Sequence, residues 1–100
     1  MKLLAIEREL PGATAERFQE HAKAEAARAW DLHQAGVIRE LYFRQDRRSA
    51  VLMLECQDVA DAAAALETLP LVKEGLIAFD ILPLVAYPGF SRLFAEAVKG

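Results

Sequence analysis

Residues 36–70 run GVIRELYFRQDRRSAVLMLECQDVADAAAALETLP, which reads as strand, sharp turn, strand and helix in succession. Outward from this stretch, a long amphipathic helix precedes it and a short apolar strand opens the chain. A fourth apolar run follows it. The predicted strands span Lys2–Arg8, Val37–Asp46, Ser49–Gln57 and Leu76–Leu84. The order is β-α-β-β-α-β, an α+β chain. Right-handed crossovers put both helices on one face of a four-stranded antiparallel sheet.

The other sheet face is not polar. An antiparallel strand with one wet face alternates apolar and polar residues, and these strands do so poorly. In the third, Ala50, Leu52 and Leu54 point one way and Val51 and Met53 the other. In the fourth, Leu76, Ala78 and Leu82 oppose Ile77, Phe79 and Ile81. With both helices spent on one side, a second copy of the sheet is the expected cover, and the chain is expected to be a homodimer or a larger homo-oligomer.

Punctuation supports these elements. Thr14 suits the N-cap of the first helix, with Arg17 in place of the usual capping-box carboxylate. Gly36 suits the position just past its end. Asp46-Arg47-Arg48-Ser49 makes the hairpin turn without an Asn-Gly signal. Asp58 caps the second helix, and Leu69-Pro70-Leu71 stops or bends it. Pro83 cannot donate to a ladder, so the fourth strand is expected to be an edge or bulged. Tyr87-Pro88-Gly89-Phe90 opens a C-terminal arm over 87–98, whose Phe90, Leu93 and Phe94 need cover from the body or from a partner.

The 100 residues fit one domain spanning 1–100, with a net charge of -3 and a pI near 5.3. That balance argues against a nucleic-acid binder, which needs a basic stripe for phosphates; Arg44, Arg47 and Arg48 read as a solvated hairpin end. One cysteine, Cys56, makes no intrachain disulfide, and no apolar run reaches membrane-spanning length. A cytoplasmic protein with no membrane or nucleic-acid partner is the expectation. No His-x-His or His-x-x-x-His spacing, phosphate loop, nucleophile elbow or haem-attachment motif is present, so neither metal nor organic cofactor is expected.

The first helix holds the most informative polar residue. At 100° per residue, Phe18, Ala22, Ala29 and Leu32 define the face toward the sheet, and Glu25 falls in its middle. A carboxylate there needs a cation, hydrogen bonds or a wet cavity. Either it pairs with a sheet arginine as a structural contact, or it lines a small-molecule pocket. His21 and His33 flank the same face, and Trp30 lies farther round. In strand two, alternation places Arg39 with Val37, Leu41 and Phe43, and Glu40, Tyr42 and Arg44 with Ile38. Arg39 is the odd member of its set, a candidate anion clamp or Glu25 partner. Glu7, Glu55 and Asp80 complete the polar strand positions and can equally sit at exposed strand ends.

The stretch Leu32-His33-Gln34-Ala35-Gly36-Val37-Ile38-Arg39-Glu40-Leu41-Tyr42, with Leu66-Glu67-Thr68-Leu69-Pro70-Leu71 and the late Tyr87-Pro88, resembles muconolactone delta-isomerase and its relatives. The resemblance covers most of the chain. It implies a ferredoxin-like fold assembled as a dimeric α+β barrel, with Glu25, Gly36, Arg39, Leu69, Pro70 and Leu71 at family positions. It further implies cofactor-free proton transfer between carbons of an unsaturated lactone that carries a carboxymethyl group. Glu25 would be the base and Arg39 the anion-binding cation; His21, His33 and Tyr42, from their places on the helix and strand, are the expected substrate contacts. Glu40 and Tyr42 stand where the isomerase has a histidine in an aromatic-rich strand. Two other readings stay open: a cofactor-free monooxygenase relying on Trp30 and Tyr42, and a non-catalytic ligand-binding or structural oligomer in which Glu25 and Arg39 neutralise each other.

Overall fold

The computed structural model describes residues 1–95. The elements are β1 (Lys2–Glu9), α1 (Ala15–Gln34), β2 (Ile38–Phe43), β3 (Ala50–Glu55), α2 (Val59–Leu66), α3 (Pro70–Lys73) and β4 (Ile77–Leu84). A 3-10 turn over Pro88–Ser91 and a short α4 (Arg92–Ala95) follow. The strands form one antiparallel sheet in the order β2-β3-β1-β4. This is the ferredoxin-like βαββαβ arrangement expected from the pattern of strands and helices.

The signals at the element ends hold. Thr14 Oγ1 accepts the Arg17 N–H at the start of α1, and Asp58 accepts the Asp61 N–H at the start of α2. Gly36 lies one residue past the α1 cap at φ +82°, where an L side chain would be strained. Pro70 both ends the second helical stretch and opens α3, since its missing N–H costs nothing at a first helical position. Pro83 lies on β4, an edge strand.

Register fixes the two faces. Leu3 and Ala5 sit opposite Leu54 and Leu52, and with Ile38, Ile77, Phe79 and Ile81 they face the helices. Leu3, Ala5, Ile38, Leu52, Leu54, Ala62, Leu66 and Leu69 form the core beneath α1, α2 and α3. The opposite face carries Leu4, Ile6, Val51, Met53, Tyr42, Leu82 and Leu84. No described element covers it. Tyr42 is 59% exposed, Leu82 45% and Leu84 37%.

One face assignment in β2 is corrected. Ile38 pairs with Leu54 while Glu40 pairs with the adjacent Met53, so Arg39 is the extra residue of a β-bulge. The bulge resets the alternation: Ile38 joins Leu41 and Phe43 on the helix side, and only Glu40 and Tyr42 keep the open side. The arm also departs from expectation in part. Tyr87 and Phe90 stack edge to face at 5.1 Å, but both are exposed, as are Leu93 and Phe94. Over 87–94 the large apolar side chains of the arm are exposed rather than packed on its own body. Residues 96–98 of the expected arm lie outside the described residues. The radius of gyration, 17.4 Å, exceeds the roughly 13 Å of a compact chain of this length, in keeping with an arm that stands away from the sheet.

Candidate active site between the first helix and the sheet

Along its sheet-facing side α1 presents Ala22, Ala26 and Ala29, and only Leu32 of the helix is buried. Such small side chains cannot fill the space above the sheet. A cavity of about 840 Å³ remains, walled on the helix side by Phe18, the three alanines and Trp30, and on the sheet side by Leu41, Phe43, Leu52 and Phe79. Leu69 and Leu71 close one end. Its size and apolar lining suit a small organic ligand. Trp30, Leu41 and Phe43 are all exposed large apolar residues at its rim.

Glu25 projects from α1 into this cavity, half-buried. Its Oε1 accepts the Leu71 N–H at 2.9 Å. Leu71 lies in the first turn of α3, where backbone N–H groups lack helical partners and Leu69 supplies no side-chain cap. Burial pushes the Glu25 carboxyl above the ordinary carboxylate range; the Leu71 N–H opposes this, the nearby Glu7 charge adds to it, and His21 lowers it.

Glu7 is the site residue that the pattern of motifs missed. It continues the Leu3, Ala5 series on the covered face of β1 and reaches the cavity from the sheet side, opposite Phe79 of β4. Period two along β1 was the available signal. Its Oε1 accepts the Ala50 N–H at 3.0 Å, and the buried Ser49 hydroxyl donates to its backbone carbonyl. Burial raises its pKa as well; the Ala50 N–H lowers it and Glu9 raises it further. Neither Glu7 nor Glu25 forms an ion pair among the described residues. No buried side-chain oxygen or nitrogen lacks a partner among the described residues. The second carboxyl oxygen of each glutamate makes no hydrogen bond among the described residues and is therefore not fully buried, and both side chains line the cavity.

The remaining site residues of the sequence reading separate. His33 lines the cavity, with Nδ1 2.9 Å from the Ile38 carbonyl and its ring 5.6 Å from that of Trp30. His21 lies close enough to Glu25 to act on its charge and is not part of the cavity lining. Arg39 contributes to the lining, but its Nε donates to the Gly36 carbonyl at 2.6 Å. A Glu25–Arg39 ion pair is not formed, which removes the contact on which the purely structural reading stood. Tyr42 lies apart from the cavity within this chain. Its hydroxyl donates to Glu40 at 2.8 Å on the open sheet face, because the bulge at Arg39 keeps it on the side away from the helices. Trp30 and Tyr42 consequently share no pocket within the chain, against the monooxygenase reading. Arg48, taken as a solvated turn residue, instead lines the cavity, its guanidinium 5.7 Å from the centre of the Phe43 ring.

Cys56 is buried, and desolvation raises its thiol pKa, the state of an inert packing residue. Among the described residues no cluster of three His, Cys, Asp or Glu side chains is placed to hold a metal ion, and no helix is long and apolar enough to cross a membrane.

Comparison with known proteins bears on this geometry. No curated protein matches the chain by sequence. A crystal structure of muconolactone isomerase is similar with a TM-score of 0.72 at 18% identity, covering 88% of this chain and 92% of that one. The 5-chloro-2-hydroxyhydroquinone dehydrochlorinase of Burkholderia phenoliruptrix AC1100, solved with 2,5-dihydroxybenzoquinone, is similar with a TM-score of 0.70 at 17% identity, covering 89% and 98%. At these identities the two structures speak for the fold. The muconolactone delta-isomerase family profile matches residues 4–89, a span that holds most of β1, all of β2 to β4, Glu7 and Glu25, and Arg39 and Arg48, and the chain belongs to that family.

Proposed function

We propose that the chain is an isomerase that moves a proton between carbons of a small unsaturated lactone bearing a carboxylate, with Glu25 as the base. The observation that carries this reading is the state of Glu25. It is half-buried in a largely apolar cavity, without an ion pair or a second hydrogen bond among the described residues, and tied through one oxygen to the Leu71 N–H. A carboxylate so placed has its basicity raised and its position fixed, the two requirements for abstracting a carbon-bound proton. Its contact with α3 is a cap as well as a mount, so fold and chemistry share the residue.

The substrate's carboxylate needs a cation away from the two acids. Arg48 at the rim makes no ion pair among the described residues and stands against Phe43. Arg39, partly committed to Gly36, is the secondary candidate. His33 and Trp30 together would support the ring face. The reading uses side chains alone, with no metal or organic cofactor. A second copy of the chain, seated on the open face of Leu4, Ile6, Val51, Met53 and Leu82, would complete a dimeric barrel and supply the cover that the exposed arm lacks.

The test is direct. Purified protein incubated with muconolactone in D2O is expected to form the isomeric lactone with solvent deuterium at the carbon that gains hydrogen. Unchanged, unlabelled lactone after prolonged incubation would refute the reading.

A further inference from the structure

We propose that Glu7 is a second proton-transfer group of the cavity and that it shares one proton with Glu25, so that the helix carboxylate takes a proton from the ligand while the sheet carboxylic acid returns one. The inference rests on the isomerase reading and deepens it.

The two groups are built alike on facing walls. Glu25 comes from α1 and is held by the Leu71 N–H; Glu7 comes from β1 and is held by the Ala50 N–H. Each spends one oxygen on that mount, has no hydrogen bond to the other among the described residues, and lines the same cavity. A backbone N–H needs only an acceptor, which a glutamine amide would supply equally well. A carboxyl group at position 7 brings something an amide does not: a transferable proton. Two carboxyls that line one largely apolar cavity, neither ion-paired to a cation among the described residues, resist ionising together, so one proton is retained between them above the ordinary carboxylate range. The Glu7 charge acts on Glu25 in that direction.

The charged and titratable groups around the pair come from every wall. Glu9 lies on β1, His21 and His33 on α1, Arg39 and Glu40 on β2 and Arg48 on the hairpin. The arginines favour ionisation and Glu9 opposes it.

The chemistry closes without a co-reactant. The free oxygen of ionised Glu25 takes a proton as a C–H bond of the lactone breaks, and the electron pair moves through the C=C bond toward the lactone carbonyl. The far carbon then forms a new C–H bond with the proton held by Glu7. Substrate and product are isomers and nothing is oxidised or reduced. Glu25 ends protonated and Glu7 ionised, and transfer of that proton from Glu25 to Glu7 restores the starting state.

The experiment compares wild type, Glu7→Gln and Glu25→Gln, labelled with 13C at the glutamate carboxyl carbons, by NMR titration, with circular dichroism as a control for folding. The expected result is reciprocal: removing either carboxyl lowers the pH at which the other ionises. If Glu7→Gln leaves the Glu25 titration unmoved, the pair does not exist and the proposal is overturned. Turnover of muconolactone supplies the second arm. Wild type should show a bell-shaped pH profile of kcat/KM, whereas Glu7→Gln should lose about 100-fold or more in kcat together with the alkaline limb of the bell, the worth and signature of a general acid. Wild-type turnover with full activity and an unchanged profile in Glu7→Gln would overturn the role of Glu7 and leave the isomerase reading standing. Coupled titration in a chain inert toward the lactone would refute the isomerase reading and uphold the proton-sharing pair.

Discussion

On the helix side of the sheet Leu3, Leu52 and Leu54 are at most 2% exposed, whereas their strand neighbours Leu4, Val51 and Met53, on the other side, are only partly covered. The residue types hardly differ between the faces. What differs is what lies above them: three helices on one side, and no described element on the other. The covered face also tolerates a large cavity with Glu7 and Glu25 in its lining, while charged groups on the open face, such as Arg8 with Asp80, sit in pairs in solvent. Apolar content alone therefore does not mark a core. The covered face holds the core and the proposed site, and the open face is the surface we propose for assembly.

Substituting adjacent residues of β3 separates these roles, and the largest effect is expected on the covered side. Leu54→Asp leaves an unpaired charge among Leu3, Ile38 and Leu66, costing more than about 3 kcal/mol and unfolding the chain, as circular dichroism and a urea melt would show. Leu54→Ala, which only opens a cavity, should cost roughly 2–5 kcal/mol. Met53→Asp, one residue along, should leave the fold intact and convert the oligomer to monomer in sedimentation at micromolar concentration. A wild-type chain that is itself a well-folded monomer would break the comparison, because the open face would then need no cover.

A smaller effect is expected from the cavity acids. Burial raises the folded-state pKa of Glu7 and Glu25, so the native chain holds more protons than the unfolded chain as pH climbs past the ordinary carboxylate value. Stability falls through that window and the loss is complete above the raised pKa. Glu7→Gln and Glu25→Gln, which keep an acceptor for Ala50 and Leu71, should therefore melt higher than wild type at pH 7, with the difference vanishing near pH 4. A lower Tm at neutral pH would mean that the carboxylates are there to hold the fold. The smallest effect is expected from Arg8→Ala. Its ion pair with Asp80 is more than half exposed on both sides, and its loss should change stability by less than about 1 kcal/mol in a melt.

Much of this was legible in the amino-acid order. Periodicity and caps are local, and so Thr14, Gly36, Asp58 and the four strands could be read directly. The position of Glu25 on an apolar helical stripe was legible for the same reason. The bulge at Arg39 was not, because an extra residue in one strand shows only against its partner, and the error put Ile38 on the wrong side. Glu7 was passed over since a carboxylate near a strand end looks solvated until the helix above it is placed. Arg48 was missed because a turn residue's reach depends on the path of the hairpin.

The central claim is that an unpaired, half-buried Glu25 is the base of a proton-transfer site. The measurement that tests it most directly is the rate of muconolactone isomerisation by Glu25→Gln, with folding verified by circular dichroism and lactone affinity measured by calorimetry. The account predicts a folded variant that binds the lactone at least as well as wild type and loses roughly two to four orders of magnitude in kcat. A variant that turns over at the wild-type rate would contradict it.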